Sequence, residues 1–257
     1  MKEIWAQSGG VQIHGLDSGA DESSRGMLPL MICPGLSMSA EEYIPFMELM
    51  TPRRCIVLSF RGRGQSATPE SGYTLEEHLE DVIAIREAAQ LERYHLYGYS
   101  RGVSYALALA RNEPERIQSL MLLDYPPVHL RMTREWAEGY INDYLIPSGR
   151  TKFIRPEAVW GIQRESDDRL IAPPAELPQL VMRGLLEGSL LPDDKLELYL
   201  SRSEEAEVRA AAQQKVQGQR QMEVRHFPYS AHDVFRTEPD ALASAVREWM
   251  NRYDVQP

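Results

Sequence analysis

The sequence has very little cysteine, which argues against a disulfide-stabilised protein and against a zinc-binding protein. Its 257 residues include only Cys33 and Cys55, too few for a disulfide framework. Zinc-binding spacings of cysteine and histidine are missing, as are nucleotide and flavin motifs, so we expect no metal and no cofactor. Cys33 falls near the end of one predicted strand and Cys55 near the start of the next, about 10 Å apart or more if the strands are parallel. We therefore expect two reduced thiols in a cytoplasmic protein.

Positive charge and long apolar runs are also scarce. Lys and Arg number 28 against 38 Asp and Glu, for a net charge of −10. Nucleic acids and anionic membranes attract basic patches, so neither is an expected partner. The most apolar run, LPLMICPGL at 28–36, is far too short to cross a bilayer, and the opening MKEIWAQSGG lacks the apolar stretch of a signal peptide. A small molecule remains the expected binding partner.

Short apolar runs alternate with helical patterns, which is typical of an α/β protein. The first two runs have no helix between them and predict an antiparallel hairpin, whereas later runs follow helices and predict buried parallel strands. We expect one mostly parallel eight-stranded sheet with helices on both faces. The predicted strands are Lys2–Gln7, Val11–Asp17, Pro29–Cys33, Arg54–Phe60, Tyr94–Tyr99, Ile117–Asp124, Gln179–Arg183 and Met222–Phe227. The predicted helices are Ala40–Met50, Leu75–Leu91, Arg101–Asn112 and Pro239–Asn251, with a polar surface helix at Ser203–Gln217.

Residues 125–178 interrupt this alternation. The segment shows no strand pattern, several prolines and many large aromatic residues, which a disordered linker rarely contains. It predicts a small helical cap over the carboxyl edge of the sheet, with 1–124 and 179–257 as the core. We expect its aromatic side chains to line a substrate pocket: Trp136, Tyr140, Tyr144, Phe153 and Trp160.

One serine stands between two glycines where a strand must reverse into a helix. In GYSRG, Gly98 and Gly102 flank Ser100 closely enough to allow a strained, tight turn. Such a turn lifts the hydroxyl above the carboxyl ends of the strands, where ligands bind in open α/β sheets. It also places the backbone N–H of Arg101 at the N-terminus of the helix, where backbone donors are free. The pattern predicts that Ser100 is a nucleophile beside an anion site.

A serine hydroxyl becomes a good nucleophile only when a base removes its proton. His232 is the favoured base, because it follows the last predicted strand in a loop at the same carboxyl edge as Ser100. His129, in the cap, is expected to be a wall residue or a solvated side chain. The remaining histidines fall within predicted strands or a predicted helix: His14, His78, His95 and His226.

A carboxylate should orient the imidazole and stabilise its charged form. Glu187, in the loop after the strand QLVMRG, is the favoured candidate, and Asp124, at the end of SLMLLD, is the alternative. Asp193 and Asp194 stay open as further candidates and otherwise read as a helix N-cap pair.

A tetrahedral intermediate also needs two backbone donors for its negative oxygen. Arg101 N–H is one expected donor. Leu36 N–H is the other, in the turn Pro34-Gly35-Leu36 that follows the strand PLMIC. Each such donor contributes about 3 kcal/mol of transition-state stabilisation.

With these motifs the chain resembles the α/β-hydrolase superfamily, in its cap-bearing, esterase-like branch. The resemblance is carried by GYSRG (98–102), CPGLS (33–37), FRGRGQS (60–66), RGLLEG (183–188) and AHDVFRTEPDAL (231–242). The order serine, acid, histidine also matches. The resemblance implies a carboxylesterase-like hydrolase that cleaves an ester, thioester, lactone or amide through an acyl-enzyme. It also implies that Arg61 and Arg63 belong to a structural loop near the site. A nucleophilic serine argues against the carboxylate chemistry of the superfamily's haloalkane dehalogenases and epoxide hydrolases.

Two departures from the family pattern and two rival functions remain. Pro34 stands where the oxyanion turn usually has histidine, and Glu187 stands where aspartate is more common. An acyltransferase would use the same serine turn, and a non-catalytic ligand receptor would keep the fold. The Arg101 side chain is expected either to pair with a core or cap acid or to meet an anionic substrate group.

Overall fold

The computed structural model describes residues 1–20, 22–201 and 222–254, so the helix predicted at Ser203–Gln217 lies outside the described residues. An eight-stranded sheet has the order β1-β2-β4-β3-β5-β6-β9-β10. The pairs β1–β2 and β2–β4 are antiparallel and all others in this sheet are parallel, which confirms the mostly parallel α/β fold. Its strands are β1 (Lys2–Ser8), β2 (Val11–Asp17), β3 (Leu30–Cys33), β4 (Cys55–Ser59), β5 (Tyr94–Tyr99), β6 (Ile117–Leu123), β9 (Gln179–Gly184) and β10 (Met222–Phe227).

Helices cover both faces of this sheet. The helices of the core are α1 (Ile44–Leu49), α2 (Leu75–Ala88), α3 (Gly102–Asn112), α6 (Val234–Thr237) and α7 (Pro239–Tyr253). Along β3, Met31 belongs to the apolar cluster formed with α2 and α3, while Leu30 and Ile32 belong to the cluster formed with α1 and α7. Side chains alternate between the faces of a strand, so a strand covered on both sides must be apolar throughout.

The helix predicted at Ala40–Met50 divides into two elements. A 3₁₀ helix spans Ala40–Tyr43, and α1 follows with Pro45 in its first turn. Proline lacks the N–H that would continue the preceding ladder, but it fits the first turn of a helix, so a new helix begins there.

The cap segment, residues 125–178, contains helices and one short ladder. Its elements are β7 (Val128–His129), α4 (Arg134–Gly139), a π-helix at Tyr140–Leu145, a 3₁₀ helix at Arg150–Lys152, α5 (Pro156–Glu165) and β8 (Arg169–Leu170). The expectation that this segment has no strand is wrong, since β7 and β8 pair antiparallel. Two-residue strands are too short to show an alternating pattern, so sequence periodicity does not reveal them.

The two cysteines are buried, unpaired thiols, as expected. Burial raises the pKa of Cys33, and burial likewise raises the pKa of Cys55 to about 12. Both are therefore protonated at neutral pH and poorly nucleophilic. In the described part of the chain, no helix combines the length and apolarity needed to cross a membrane.

Candidate active site

Ser100 occupies a strained turn between β5 and α3. Its φ of +53° lies in the left-handed region, which is uncommon for a residue other than glycine. The turn depends on its flanking glycines. A Cβ on Gly98 would lie 2.8 Å from the carbonyl oxygen of Gly102, and a Cβ on Gly102 would lie 2.1 Å from the carbonyl oxygen of Cys33. These contacts explain why glycine stands at both positions.

His232 joins Ser100 to a carboxylate. Its Nε2 lies 2.9 Å from Oγ of Ser100, and its Nδ1 lies 2.8 Å from Oδ2 of Asp124. An ionised carboxylate only accepts hydrogen bonds, so Nδ1–H donates to Asp124 and Nε2 is left to accept the serine proton. An arrangement of this kind can activate a serine hydroxyl as a nucleophile.

Asp124 is fully buried and firmly held at the carboxyl end of β6. Its φ is +53°. Besides His232, it accepts hydrogen bonds from Ser189 Oγ at 2.6 Å, Leu190 N at 3.0 Å and Gly184 N at 3.3 Å. Nothing in the sequence pattern distinguishes Ser189 as one of these donors.

Glu187, the favoured candidate for orienting His232, has no hydrogen bond to the imidazole among the described residues, and the alternative, Asp124, does. Glu187 is exposed in the loop after β9, whereas Asp124 directly follows β6, the strand next to β5 and Ser100. Asp124, at the end of the strand next to β5, is close enough to bind the imidazole, whereas the side chain of Glu187 is exposed to solvent. Asp193 is also placed elsewhere, in an ion pair with Arg183 at 2.5 Å.

Tyr99 supports His232 from the side. The two rings stack with centroids 4.9 Å apart, and the Tyr99 hydroxyl donates to the carbonyl oxygen of His232 at 3.1 Å. Burial, with a further contribution from the Asp124 carboxylate, raises the pKa of Tyr99. The hydroxyl therefore stays protonated and keeps donating. Tyr99 was not identified as a site residue from the sequence, although its position immediately before Ser100 could have indicated it.

Two backbone N–H groups are free beside Ser100. Among the described residues, no acceptor is hydrogen bonded to the backbone N–H of Leu36 or of Arg101. The two turns touch, because a Cβ on Gly35 would lie 3.2 Å from Cβ of Ser100. Arg63 holds the turn Pro34-Gly35-Leu36 through a hydrogen bond from its Nε to the carbonyl oxygen of Leu36 at 3.1 Å.

The side chain of Arg101 does not pair with a core or cap acid, the first of its two expected roles. It is buried and donates to neutral acceptors: Tyr105 Oη, Leu130 O, His129 Nε2 and Ser166 Oγ. No carboxylate among the residues in 1–20, 22–201 and 222–254 forms an ion pair with it. It thus ties the serine turn to the cap segment.

His129 is also placed differently from expectation, because it is fully buried rather than a wall residue or solvated. Its Nε2 accepts from Arg101 at 3.0 Å, so Nδ1–H is the atom that faces Ser104 Oγ at 3.0 Å. Burial, and then the positive charge of Arg101, lower the pKa of His129 to about 3. It is therefore a neutral structural link.

Arg61 and Arg63 both lie inside the structure, as expected of a structural loop. Arg61 binds the buried carboxylate of Asp81, with Nη2 and Oδ1 2.6 Å apart. Arg63 donates to the carbonyl oxygens of Leu36 and Arg61 and to His78 Nε2, and its Nη2 has no partner among the described residues. Burial lowers the pKa of Arg63.

Two cavities meet at Ser100 and share Leu36, Trp136 and Leu190. The tyrosine cavity, about 380 Å³, is named for Tyr99, Tyr140 and Tyr144 in its wall. The cationic cavity, about 450 Å³, is named for Arg101, Arg131 and Lys195. Of the cap aromatics expected to line a pocket, Trp136, Tyr140 and Tyr144 do so, whereas Phe153 and Trp160 line neither cavity.

The described part of the chain contains no group of three or more His, Cys, Asp or Glu side chains that could hold a metal ion. Ser100 lies at the junction of the two cavities, His232 lines the tyrosine cavity, and Asp124 is buried behind the imidazole.

The sheet order, the serine turn and the helical cap define an α/β-hydrolase fold. A family model described as the alpha/beta hydrolase fold matches residues 29–155. The esterase from Thermogutta terrifontis has a similar structure, with a TM-score of 0.74 and 18% identity over 99% of this chain and 100% of that one. The chain therefore has the α/β-hydrolase fold, and residues 29–155 match its family model.

Similarity to individual proteins is more limited. The protein named "Putative carbamate hydrolase RutD" from Caulobacter segnis is 28% identical over 120 residues, or 44% of this chain and 45% of that protein. The chain thus matches less than half the length of this curated relative. The haloalkane dehalogenase DatA from Agrobacterium tumefaciens has a TM-score of 0.71 at 18% identity, covering 98% of this chain and 97% of that one. Esterases and dehalogenases share this architecture, so the chemistry must be argued from the site.

Proposed function

We propose that this protein is a serine hydrolase that cleaves small esters, thioesters, lactones or amides through an acyl-enzyme. The observation that carries the proposal is the continuous hydrogen-bond chain from Ser100 Oγ through His232 to Asp124. In this reaction Ser100 is the nucleophile, His232 is the base and Asp124 is the orienting acid. The N–H groups of Leu36 and Arg101 form the oxyanion hole.

The reaction has two halves. Ser100 Oγ bonds to the carbonyl carbon as its proton moves to His232 Nε2, and the carbonyl oxygen gains the negative charge that faces Leu36 N–H and Arg101 N–H. His232 then protonates the leaving group as the bond to the carbonyl carbon breaks. Water, deprotonated by the same Nε2, releases the acid and restores the Ser100 hydroxyl.

The substrate fits a two-sided site. Cavities on both sides of Ser100 accommodate an acyl group and a leaving group separately. The similarity to a putative carbamate hydrolase adds carbamates to the carbonyl compounds worth testing. The two free, buried thiols are compatible with a reducing compartment, and we propose a cytoplasmic location.

Labelling with a fluorophosphonate probe tests the nucleophile directly. We expect rapid labelling of the wild type, none of Ser100→Ala, and strongly slowed labelling of His232→Gln. Equal labelling of wild type and Ser100→Ala contradicts the proposal.

Turnover of an ester substrate with added alcohols or amines then separates a hydrolase from an acyltransferase. A transferred acyl group identifies an acyltransferase, and free acid identifies a hydrolase. A non-catalytic receptor would not label at Ser100.

A further inference from the structure

The two cavities at Ser100 differ in how their positive charges are balanced. In the tyrosine cavity, Arg150 Nη2 and Arg236 Nη2 lie 3.0 and 3.2 Å from the same Glu42 oxygen, and Asp233 lines the wall. The two cations there face two carboxylates. An anionic ligand would therefore gain little net attraction on that side.

The cationic cavity lacks such compensation. Arg101, Arg131 and Lys195 line it, and no carboxylate does. Among the described residues, neither Arg131 nor Lys195 has an ion-pair partner, and Asp168 binds the backbone N–H of Arg131 rather than its guanidinium. The two cations come from different parts of the chain, the cap segment and the region after β9. They converge on one cavity in a protein whose net charge is −10.

Two buried guanidinium groups lie close to this cavity and add to its positive potential. Arg101 and Arg63 are 4% and 0% exposed, and their described partners are all neutral. A buried cation without a carboxylate is costly, because the neighbouring dipoles only partly replace water. An anion that enters the adjacent cavity reduces this cost.

The remaining wall of the cationic cavity is mainly apolar, with Leu130, Met132 and Trp136 among its residues. Its volume of about 450 Å³ suits a small ligand. A ligand that matches both features has a hydrocarbon body that ends in a negative charge.

Resting on the proposed hydrolase function, we propose that the substrate carries an anionic group that binds in the cationic cavity, with Arg131 and Lys195 as specificity-determining residues. The preferred substrate class is then a half ester of a dicarboxylic acid, or another acyl compound with a terminal anion. The neutral ester of the same acid has the same hydrocarbon body without the charge.

Matched esters test this inference on the wild type. Monomethyl esters of dicarboxylic acids from succinate to suberate are compared with their dimethyl esters by kcat/KM. We expect a preference for at least one monoester, carried mainly by KM and weakened by salt, which screens exposed charges. Lys195→Gln and Arg131→Gln should each lower kcat/KM for that monoester by about fivefold and kcat/KM for the diester by clearly less, because each removes one solvent-accessible ionic contact. Arg134→Gln, an exposed cap arginine that lines neither cavity, is the matched control and should change neither.

Binding to Ser100→Ala separates this inference from the proposed function. Calorimetric titration of that variant needs no turnover. If Ser100→Ala binds a monoester more tightly than its diester and Ser100→Ala/Lys195→Gln loses this preference, the result supports the anion site. That support holds even if the wild type hydrolyses neither ester, because the absence of hydrolysis contradicts only the proposed hydrolase function. Equal affinities, no binding of any monoester, or equal losses for both esters in the charge variants overturn the anion site.

Discussion

The carboxylate of Asp124 lies 2.8 Å from Nδ1 of His232, although 108 residues separate the two along the chain. The carboxylate is fully buried and also receives hydrogen bonds from Ser189 and Leu190. These donors fix its position. Through the imidazole, the charge of Asp124 then acts on Ser100.

Replacement of Asp124 by asparagine should nearly abolish catalysis. The amide of Asp124→Asn favours the wrong imidazole tautomer, in which Nε2 carries the proton and cannot accept one from serine. We expect kcat to fall about 10⁴-fold, the scale seen when the acid of such a triad is neutralised. The initial rate of ester hydrolysis and the rate of fluorophosphonate labelling measure the loss.

Glu187→Gln is the matched control, because it removes a carboxylate from the candidate that sequence reasoning favoured. Since Glu187 is exposed, both rates should stay within a factor of about two of the wild type. A large loss in Glu187→Gln together with a small loss in Asp124→Asn would reverse the assignment made from the geometry.

Sequence patterns pointed to Ser100 and His232 because each has a local signature. The nucleophile needs a glycine-flanked turn, and the base falls in a loop between the last strand and the last helix. The acid has no such signature. Asp124 and Glu187 both follow strands that end at the same edge, and only the path of each loop decides which carboxylate turns inward. The positive φ of Asp124 is part of that loop path, and the residue type alone does not predict it.

Gly102 should tolerate no side chain. The Cβ of Gly102→Ala would lie 2.1 Å from the carbonyl oxygen of Cys33 and 2.6 Å from that of Pro34, both in the turn that carries Leu36. Backbone rather than a flexible side chain must move. We expect the free energy of unfolding to fall by about 2–3 kcal/mol and activity to fall with it, because the oxyanion turn shifts.

Gly139→Ala provides the comparison for this change. Gly139 lies in α4 with ordinary helical angles, and its Cβ would meet only Asp143 at 3.5 Å. Alanine is the better helix former, so stability should rise by up to about 1 kcal/mol. Chemical denaturation of the two variants gives both values. Similar stabilities of Gly102→Ala and the wild type would contradict the packing described for the serine turn.

The two arginines of the loop FRGRGQS should respond differently to loss of charge. Arg61→Met leaves the buried carboxylate of Asp81 without its cation, a change that costs about 3–5 kcal/mol of stability. Arg63→Met removes a buried cation that has no acidic partner among the described residues, so its loss of stability should be clearly smaller. Urea unfolding measures the difference, and equal destabilisation would contradict it.

Arg63→Met should instead affect turnover. Its Nε holds the carbonyl oxygen of Leu36, so the variant loosens the N–H that faces the developing oxyanion. We expect kcat to fall about tenfold with KM for a neutral ester nearly unchanged, the pattern of an interaction made in the transition state. Arg63→Lys, which retains a donor, should recover part of the loss. A purely structural arginine would leave kcat of the folded fraction at the wild-type value.

Patterns in the cap segment were harder to interpret than those of the core. The buried parallel strand β5 is six residues long, whereas β7 and β8 have two residues each and leave no periodic pattern. Trp136 lines both cavities, as expected of an aromatic residue of the cap. The sequence pattern did not predict that Arg101 would cross from the serine turn to Leu130 and Ser166, because such a link depends on how the cap folds back over the sheet.

That link makes stability depend on pH through His129. Burial and the neighbouring Arg101 lower its pKa to about 3 in the folded protein, against an ordinary value of about 6.5 in the unfolded chain. As pH falls below about 6.5 the unfolded chain takes up the proton first, so the stabilisation is present above that pH and is lost progressively below it. From pH of about 7 to about 5, His129 should account for a loss of about 2 kcal/mol. His129→Gln, whose amide oxygen can still accept from Arg101, should therefore show a shallower decline of the free energy of unfolding over this range. The other histidines are common to both proteins and cancel in the comparison. Parallel pH profiles for the two proteins would show that the imidazole is not held neutral against Arg101.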